Sequence, residues 1–141
     1  MPSGVRVAIA LGSNLGDRDA HLRYAITRLS TLLTDMRVST FHNTAAVEVD
    51  EPQPDYLNAV VSGATTLAPQ DLLHAMLAIE RERGRERPSL RASRTLDLDL
   101  IFYGDQAIST PELTVPHPRW REREFVVGPL SEVWDDLPLE Q

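Results

Sequence analysis

The apolar positions change period along the chain, and the changes mark out the elements. Val5 to Leu11 (VRVAIAL) is β-branched and apolar enough to form a strand. Leu22, Ile26, Leu29 and Leu33 then recur at helical spacing, predicting a helix from Asp17 to Leu33. Asp17 and Asp19 fall at its N-terminal end, where the helix dipole favours acids. Gly12-Ser13-Asn14 between the two reads as a tight strand-to-helix turn, since one such glycine is a weak phosphate-loop signal. Val38 to Val49 predicts a second strand interrupted near Asn43-Thr44, and the proline- and acid-rich Asp50 to Asp55 predicts a loop. Tyr56 to Thr66 (YLNAVVSGATT) predicts a third strand. Pro69 opens a second helix, with Asp71 in its first turn. Leu72, Met76 and Ile79 share its face with Leu73 and Leu77, and it ends around Arg83-Gly84.

Arg85 to Ser93 has no periodicity and predicts a polar loop. Leu96-Asp97-Leu98-Asp99-Leu100 alternates strictly, the pattern of a half-buried strand, and Gly104-Asp105 predicts a turn after it. Leu113 to His117 predicts a short extended piece and Pro118 to Glu124 a turn or short helix. Phe125 to Leu130 (FVVGPL) predicts a last apolar strand, followed by a lightly held acidic tail from Ser131 to Gln141.

The order is strand, helix, strand, strand, helix, strand, with a short extra pair behind it. That predicts an α+β fold: a ferredoxin-like antiparallel sheet with packed helices, a βαββαβ core and a short C-terminal strand. At 141 residues, one domain spanning 1–141 is expected. Without cysteine, disulfides and thiolate metal sites are excluded. No apolar run is long enough to span a membrane, and the N-terminus reads as a strand rather than a signal peptide. A cytoplasmic protein without a membrane partner is expected.

Charge sharpens the picture. The net charge of −7 argues against nucleic-acid binding. All 14 cationic residues are arginine. They cluster from Arg81 to Arg94 and again at Arg119, Arg121 and Arg123. An acidic chain with two arginine clusters suits a small polyanion, because the planar guanidinium grips phosphate oxygens in pairs. The absence of lysine rules out a Walker-type phosphate loop.

The aspartates supply the chemistry. On a strand, Asp97 and Asp99 point to one face, ~6.5–7 Å apart along the chain. Two such carboxylates repel each other unless a cation lies between them. Magnesium is held by one or two carboxylates, with water and substrate phosphates completing its shell. A pair of aspartates can bridge two such ions ~3.5–4 Å apart. Arg85, Arg87, Arg91 and Arg94 lie close enough in sequence to serve the same anion. Tyr56 and Asn58, two apart on a strand, with Phe125 downstream, offer a ring to stack on and an amide to read a heterocycle's edge. For each of these residues alone, packing or a solvated surface is the simpler account. A non-catalytic ligand- or RNA-binding module is the rival reading of the whole, but it calls for basic or aromatic residues where these aspartates stand.

Taken together, "IALGSNLGDR", "QPDYLNAVV", "LAPQDLL…IERERGR", "SRTLDLDLIFYGD" and "LTVPHPRWREREFVVGPL" resemble the 6-hydroxymethyl-7,8-dihydropterin pyrophosphokinase family. The resemblance runs from about Val5 to Leu130 with its motifs in order. It implies transfer of pyrophosphate from ATP to the pterin hydroxymethyl oxygen, for folate biosynthesis, by a monomer needing two Mg2+ ions. It implies that Asp97 and Asp99 hold the metal and act in catalysis with Arg85 and Arg94. Thr44, Val47, Tyr56, Asn58, Asp97 and Phe125 would bind the pterin. Glu80, Arg85, Arg87, Arg94, Leu100, Thr114, His117 and Arg123 would bind ATP. The chain departs from the family's pattern at Ala45-Ala46, where a proline is common, and at Arg91-Ala92-Ser93, where some members carry a tryptophan and Gly-Pro.

Overall fold

The computed structural model describes residues 4–44, 55–83, 96–118, 120 and 123–135, without the side chains of Glu124 and Phe125. Its elements are β1 (Val5–Ser13), α1 (Arg18–Leu29), β2 (Thr34–Val38), β3 (His42–Thr44), β4 (Tyr56–Thr65), α2 (Pro69–Glu82), β5 (Asp97–Tyr103), β6 (Ile108–Ser109), β7 (Thr114–Val115) and α3 (Glu124–Val133). The main sheet runs β2-β4-β1-β5, with β3 also paired to β4. Every pairing in it is antiparallel. β6 and β7 form a separate antiparallel pair. The chain is thus α+β, and none of its described helices is long and apolar enough to cross a membrane.

Period-2 alternation gives each strand two faces, and the sheet uses both. Val7, Ile9, Leu11, Ala59, Val61, Leu98 and Leu100 face α1 and α2, meeting Leu22, Ala25, Leu29, Leu72, Met76 and Ile79 in the larger core. Ala8, Ala10, Val60, Ile101 and Phe102 face the other way, toward Trp120 and the α3 residues Val126, Leu130 and Val133. A register shift lets Ala8 pair with Phe102 and Ile9 with Leu100, so Ile101 is the extra residue. The bulge places Ile101 and Phe102 together in the smaller core and returns Tyr103 to the larger one.

Five expectations are corrected. Phe125 to Leu130 is not a strand: it belongs to α3. A short apolar run cannot be assigned by periodicity alone. Here burial decides, since Val126, Leu130 and Val133 fall at i, i+4 and i+7 and bury one helical face on the sheet. Pro129 inside this helix costs it one backbone hydrogen bond. Second, Ser131 to Asp135 is not loosely held. Trp134 lies 5.1 Å from Phe102, Arg6 stacks 5.0 Å from the Trp134 ring, and Arg37 pairs with Asp135 at 3.2 Å. Third, Gly12 and Ser13 are the end of β1, and the turn comes later, at Gly16 with φ of 75°. Fourth, α1 stops at Leu29 rather than Leu33. The Ser30 and Thr31 hydroxyls donate to the carbonyls of Thr27 (2.6 Å) and Arg28 (2.7 Å), competing with further helix. The second strand divides into β2 and β3, broken at Ser39–Phe41 rather than at Asn43-Thr44.

Candidate active site

Register brings the sequence-predicted residues into line. His42 pairs with Asn58, Asn58 with Gly12, and Gly12 with Asp97. One row of residues therefore crosses four strands at one height, over roughly 14 Å at ordinary strand spacing. Thr44 pairs with Tyr56 one step along, and Ala10 with Asp99 on the other side of the row. Tyr56, Asn58 and Val60 alternate onto the same face, as do Ala8, Ala10 and Gly12, and Asp97, Asp99 and Ile101. This is the face that carries α3. α3 covers its apolar end, and the polar residues occupy the other.

Asn58 is only 5% exposed, and its amide is held in place. Its Nδ2 donates to Thr44 Oγ1 at 2.6 Å, which turns Oδ1 toward Gly12. A methyl group added at Gly12 would stand 3.2 Å from Asn58 Oδ1 and 3.5 Å from Tyr56 Cδ1. Gly12 thus leaves room beside the Tyr56 ring and the Asn58 amide. Sequence reasoning missed it, although a glycine inside a strand is itself a sign of close approach.

Asp97 and Asp99 are half-buried, while Leu98 and Leu100 between and after them are buried. Opposite them on β1 stand Gly12 and Ala10, the smallest residues available, so no bulky β1 side chain stands beside the pair. Beneath the strand, Glu80 is 3% exposed on α2, and its Oε2 accepts the Leu98 amide at 2.7 Å. That bond caps the outer edge of β5 between the two aspartates and fixes their backbone. Among the described residues no group of three or more His, Cys, Asp or Glu is placed to hold a metal. Two carboxylates on one strand nonetheless fit a magnesium ion whose other ligands are water and phosphate.

Of the remaining residues, His117 is tied to β5 directly. The His117 amide donates to the Ile101 carbonyl at 3.1 Å, placing His117 beside the strand that carries the aspartates. Thr114, on β7, is exposed. The Leu100 side chain belongs to the larger core, so only its backbone faces that edge. Arg123 is half-buried and caps the start of α3, its carbonyl accepting the amides of Val126 and Val127 at 2.9 Å. Val47, Arg85, Arg87, Arg91 and Arg94, like Ala45-Ala46 and Ala92-Ser93, lie outside the described residues, as does the Phe125 side chain.

Two histidines with no evident setting in the sequence are engaged. His42 Nε2 lies 2.8 Å from Glu132 Oε2, while the Thr40 amide donates to Glu132 Oε1 at 2.7 Å. The Thr40 amide and then His42 hold the Glu132 carboxyl below its usual range. His21 Nδ1 accepts from Arg83 Nε at 2.9 Å. Burial, and then the Arg83 charge, lower the His21 pKa, which keeps the ring neutral and able to accept.

Known proteins give this geometry a context. Residues 8–135 match the family described as 7,8-dihydro-6-hydroxymethylpterin-pyrophosphokinase. The chain is 41% identical over 130 residues to the 2-amino-4-hydroxy-6-hydroxymethyldihydropteridine pyrophosphokinase of Synechocystis sp., covering 91% of this chain and 66% of that protein. It is 40% identical over 134 residues to the protein of the same name from Bacillus subtilis, covering 94% of this chain and 80% of that one. It is 42% identical over 128 residues to the mitochondrial folate synthesis bifunctional protein of Arabidopsis thaliana, covering 90% of this chain and 23% of that protein. A match over 8–135, with a relative 40% identical along 94% of this chain and 80% of that protein, means that the chain belongs to the 7,8-dihydro-6-hydroxymethylpterin-pyrophosphokinase family.

Proposed function

We propose that this chain transfers the terminal pyrophosphate of ATP to the hydroxymethyl oxygen of 6-hydroxymethyl-7,8-dihydropterin, a step in folate biosynthesis. The substrate oxygen bonds to the β-phosphorus as the bond from that phosphorus to the α-phosphate oxygen breaks. AMP leaves, and the hydroxyl proton is lost, with Asp97 its candidate acceptor. The observation that carries the reading is the row across the sheet. Asn58, hydrogen-bonded to Thr44 and beside Tyr56, lies two strands from Asp97, with Gly12 open between them.

In this reading Tyr56 and Phe125 stack on the pterin, Asn58, Thr44 and Asp97 bind its polar edge, and the backbone up to Val47 closes over it. Asp97 and Asp99 hold two Mg2+ ions. Bound there, the metal would neutralise triphosphate charge. Arg85, Arg87, Arg94, His117 and Arg123 line the phosphates, with Glu80, Leu100 and Thr114 along the nucleotide's side of β5. Catalysis is then positional and electrostatic: the reactants are held in line, and arginine charge meets the charge that grows on AMP.

The strand order β2-β4-β1-β5 with its two crossover helices supports a ferredoxin-like assignment, with β3 as an added strand and 1–141 as one domain. A cytoplasmic monomer suits two diffusible substrates that bind to one chain. The test is incubation with ATP, magnesium and 6-hydroxymethyl-7,8-dihydropterin. Equimolar AMP and pterin diphosphate are expected. ADP as the nucleotide product, or no pterin-dependent turnover, would sink the proposal.

A further inference from the structure

The stretch Gly12 to Arg18 (GSNLGDR) is not exhausted by the site above. Gly12 opens the sheet face, Gly16 turns the chain at φ 75°, and the Asp17 carboxylate caps α1 by accepting the Ala20 amide at 3.1 Å. Arg18, the first residue of α1, reaches away from its own helix. Its Nη1 donates to Asn43 Oδ1 at 2.8 Å and to the Asp55 carbonyl at 2.8 Å. Asn43 Nδ2 in turn donates to Asp55 Oδ2 at 2.9 Å. These three bonds join α1 to both arms of the β3–β4 hairpin.

Their location gives them meaning. Asn43 directly precedes Thr44, and Asp55 directly precedes Tyr56. Thr44 and Tyr56 are strand partners, and Thr44 Oγ1 holds the Asn58 amide. Each of Arg18's two partners is therefore one residue from a member of the pair that supports the pterin-reading end of the site.

We propose that Arg18 is a positioning residue that sets the height of this hairpin end over the sheet, and so the affinity for the pterin rather than for ATP. The proposal rests on the assignment of Thr44, Tyr56 and Asn58 to the pterin. All three bonds are exposed, and exposed bonds of this kind contribute little to global stability. What they do is fix geometry. A bicyclic acceptor must meet the Asn58 amide and present its hydroxymethyl group near Asp97 at the same time. A small displacement of one end spoils both, and positional errors are steeply penalised. Arginine suits the task because the two N–H groups of Nη1 are held at fixed angles in the guanidinium plane, one for each acceptor, whereas lysine offers a freely rotating point donor.

The test compares Arg18→Ala, Arg18→Lys and Asn58→Ala with the unchanged protein. Steady-state kinetics give separate KM values for the pterin and ATP, and thermal melting reports the fold. Fluorescence titration with 6-hydroxymethylpterin, in the presence of magnesium and α,β-methylene-ATP, gives binding without turnover. Arg18→Ala is expected to raise the pterin KM and Kd about tenfold, with the ATP KM changed by less than about twofold and the melting temperature nearly unchanged. Arg18→Lys is expected to fall between. An unchanged pterin Kd in Arg18→Ala would overturn the proposal, and so would parallel rises in both KM values. If Asn58→Ala leaves pterin binding intact, the underlying site assignment is at fault instead.

Discussion

One face of the sheet carries two surfaces made from the same strands. Ala8 and Ala10 lead to Gly12 on β1, Val60 leads back to Asn58 and Tyr56 on β4, and Ile101 leads back to Asp99 and Asp97 on β5. At one end the side chains are apolar and α3 closes over them, with Trp120, Leu130 and Val133 nearly inaccessible. At the other end the alternation continues unbroken, but the residues become polar and the face stays partly open. A strand's period fixes which face a residue joins. It does not fix what covers that face. The covered half is a core and the open half is the proposed site, and the two can be perturbed separately.

The largest separation is expected at the aspartates. Asp97→Ala and Asp99→Ala should each lower turnover by roughly a thousandfold, the scale of losing a key electrostatic group, with melting temperature preserved. Near-normal AMP release from both would collapse the distinction between the halves. In the covered half, Leu130→Ala removes a fully buried side chain. It should cost about 2–5 kcal/mol in denaturant unfolding, while kcat per folded molecule stays near normal. A variant that kept its stability and lost its activity would reverse the roles.

Gly12→Val probes the boundary between the halves. Its new side chain must displace Asn58 Oδ1 or the Tyr56 ring, 3.2 and 3.5 Å from the first added carbon. The pterin KM should rise about tenfold with the ATP KM held, about the effect of one lost hydrogen bond. An equal rise for ATP would mean that the strand, not the site, had moved.

The smallest effect is expected on the opposite face. Hydrogen bonds from Arg28 and then Tyr24 hold the Glu82 carboxyl at about 2, against an ordinary 4.5, joining α1 to α2. Because the folded-state value is depressed, this contribution is complete above pH 4.5 and fades as the pH falls toward 2. Glu82→Gln should therefore lose less stability than the unchanged protein between pH 6 and pH 3, with kcat at neutral pH unaffected. Each side chain of the pair is 35% exposed, and solvent screening keeps the difference small.

The aspartates were legible because strict alternation of leucine with acid has one structural meaning. The helical faces of α1 and α2 were legible for the same reason: Leu22, Leu29, Leu72, Met76 and Ile79 repeat at helical spacing and all are buried. Phe125 to Leu130 was not legible. Its six residues are apolar at either period, and the helical choice depends on Ala8, Val60 and Phe102, which are remote in sequence. Gly12 reads as part of a turn in the sequence, and only its pairing with Asn58 and Asp97 places it inside the strand.

What the sequence determined by itself was local: element type where periodicity was strong, the side-by-side aspartates, and the motifs of a known family. What only the tertiary structure decided was juxtaposition. Register set Asn58, Gly12 and Asp97 in one row, a bulge at Ile101 turned two consecutive residues into the smaller core, and Arg18 met both arms of a hairpin from another element. The physical reason is that periodicity is written in neighbouring residues. Register and capping instead depend on contacts between segments far apart in the chain, whose positions follow only when both cores pack at once.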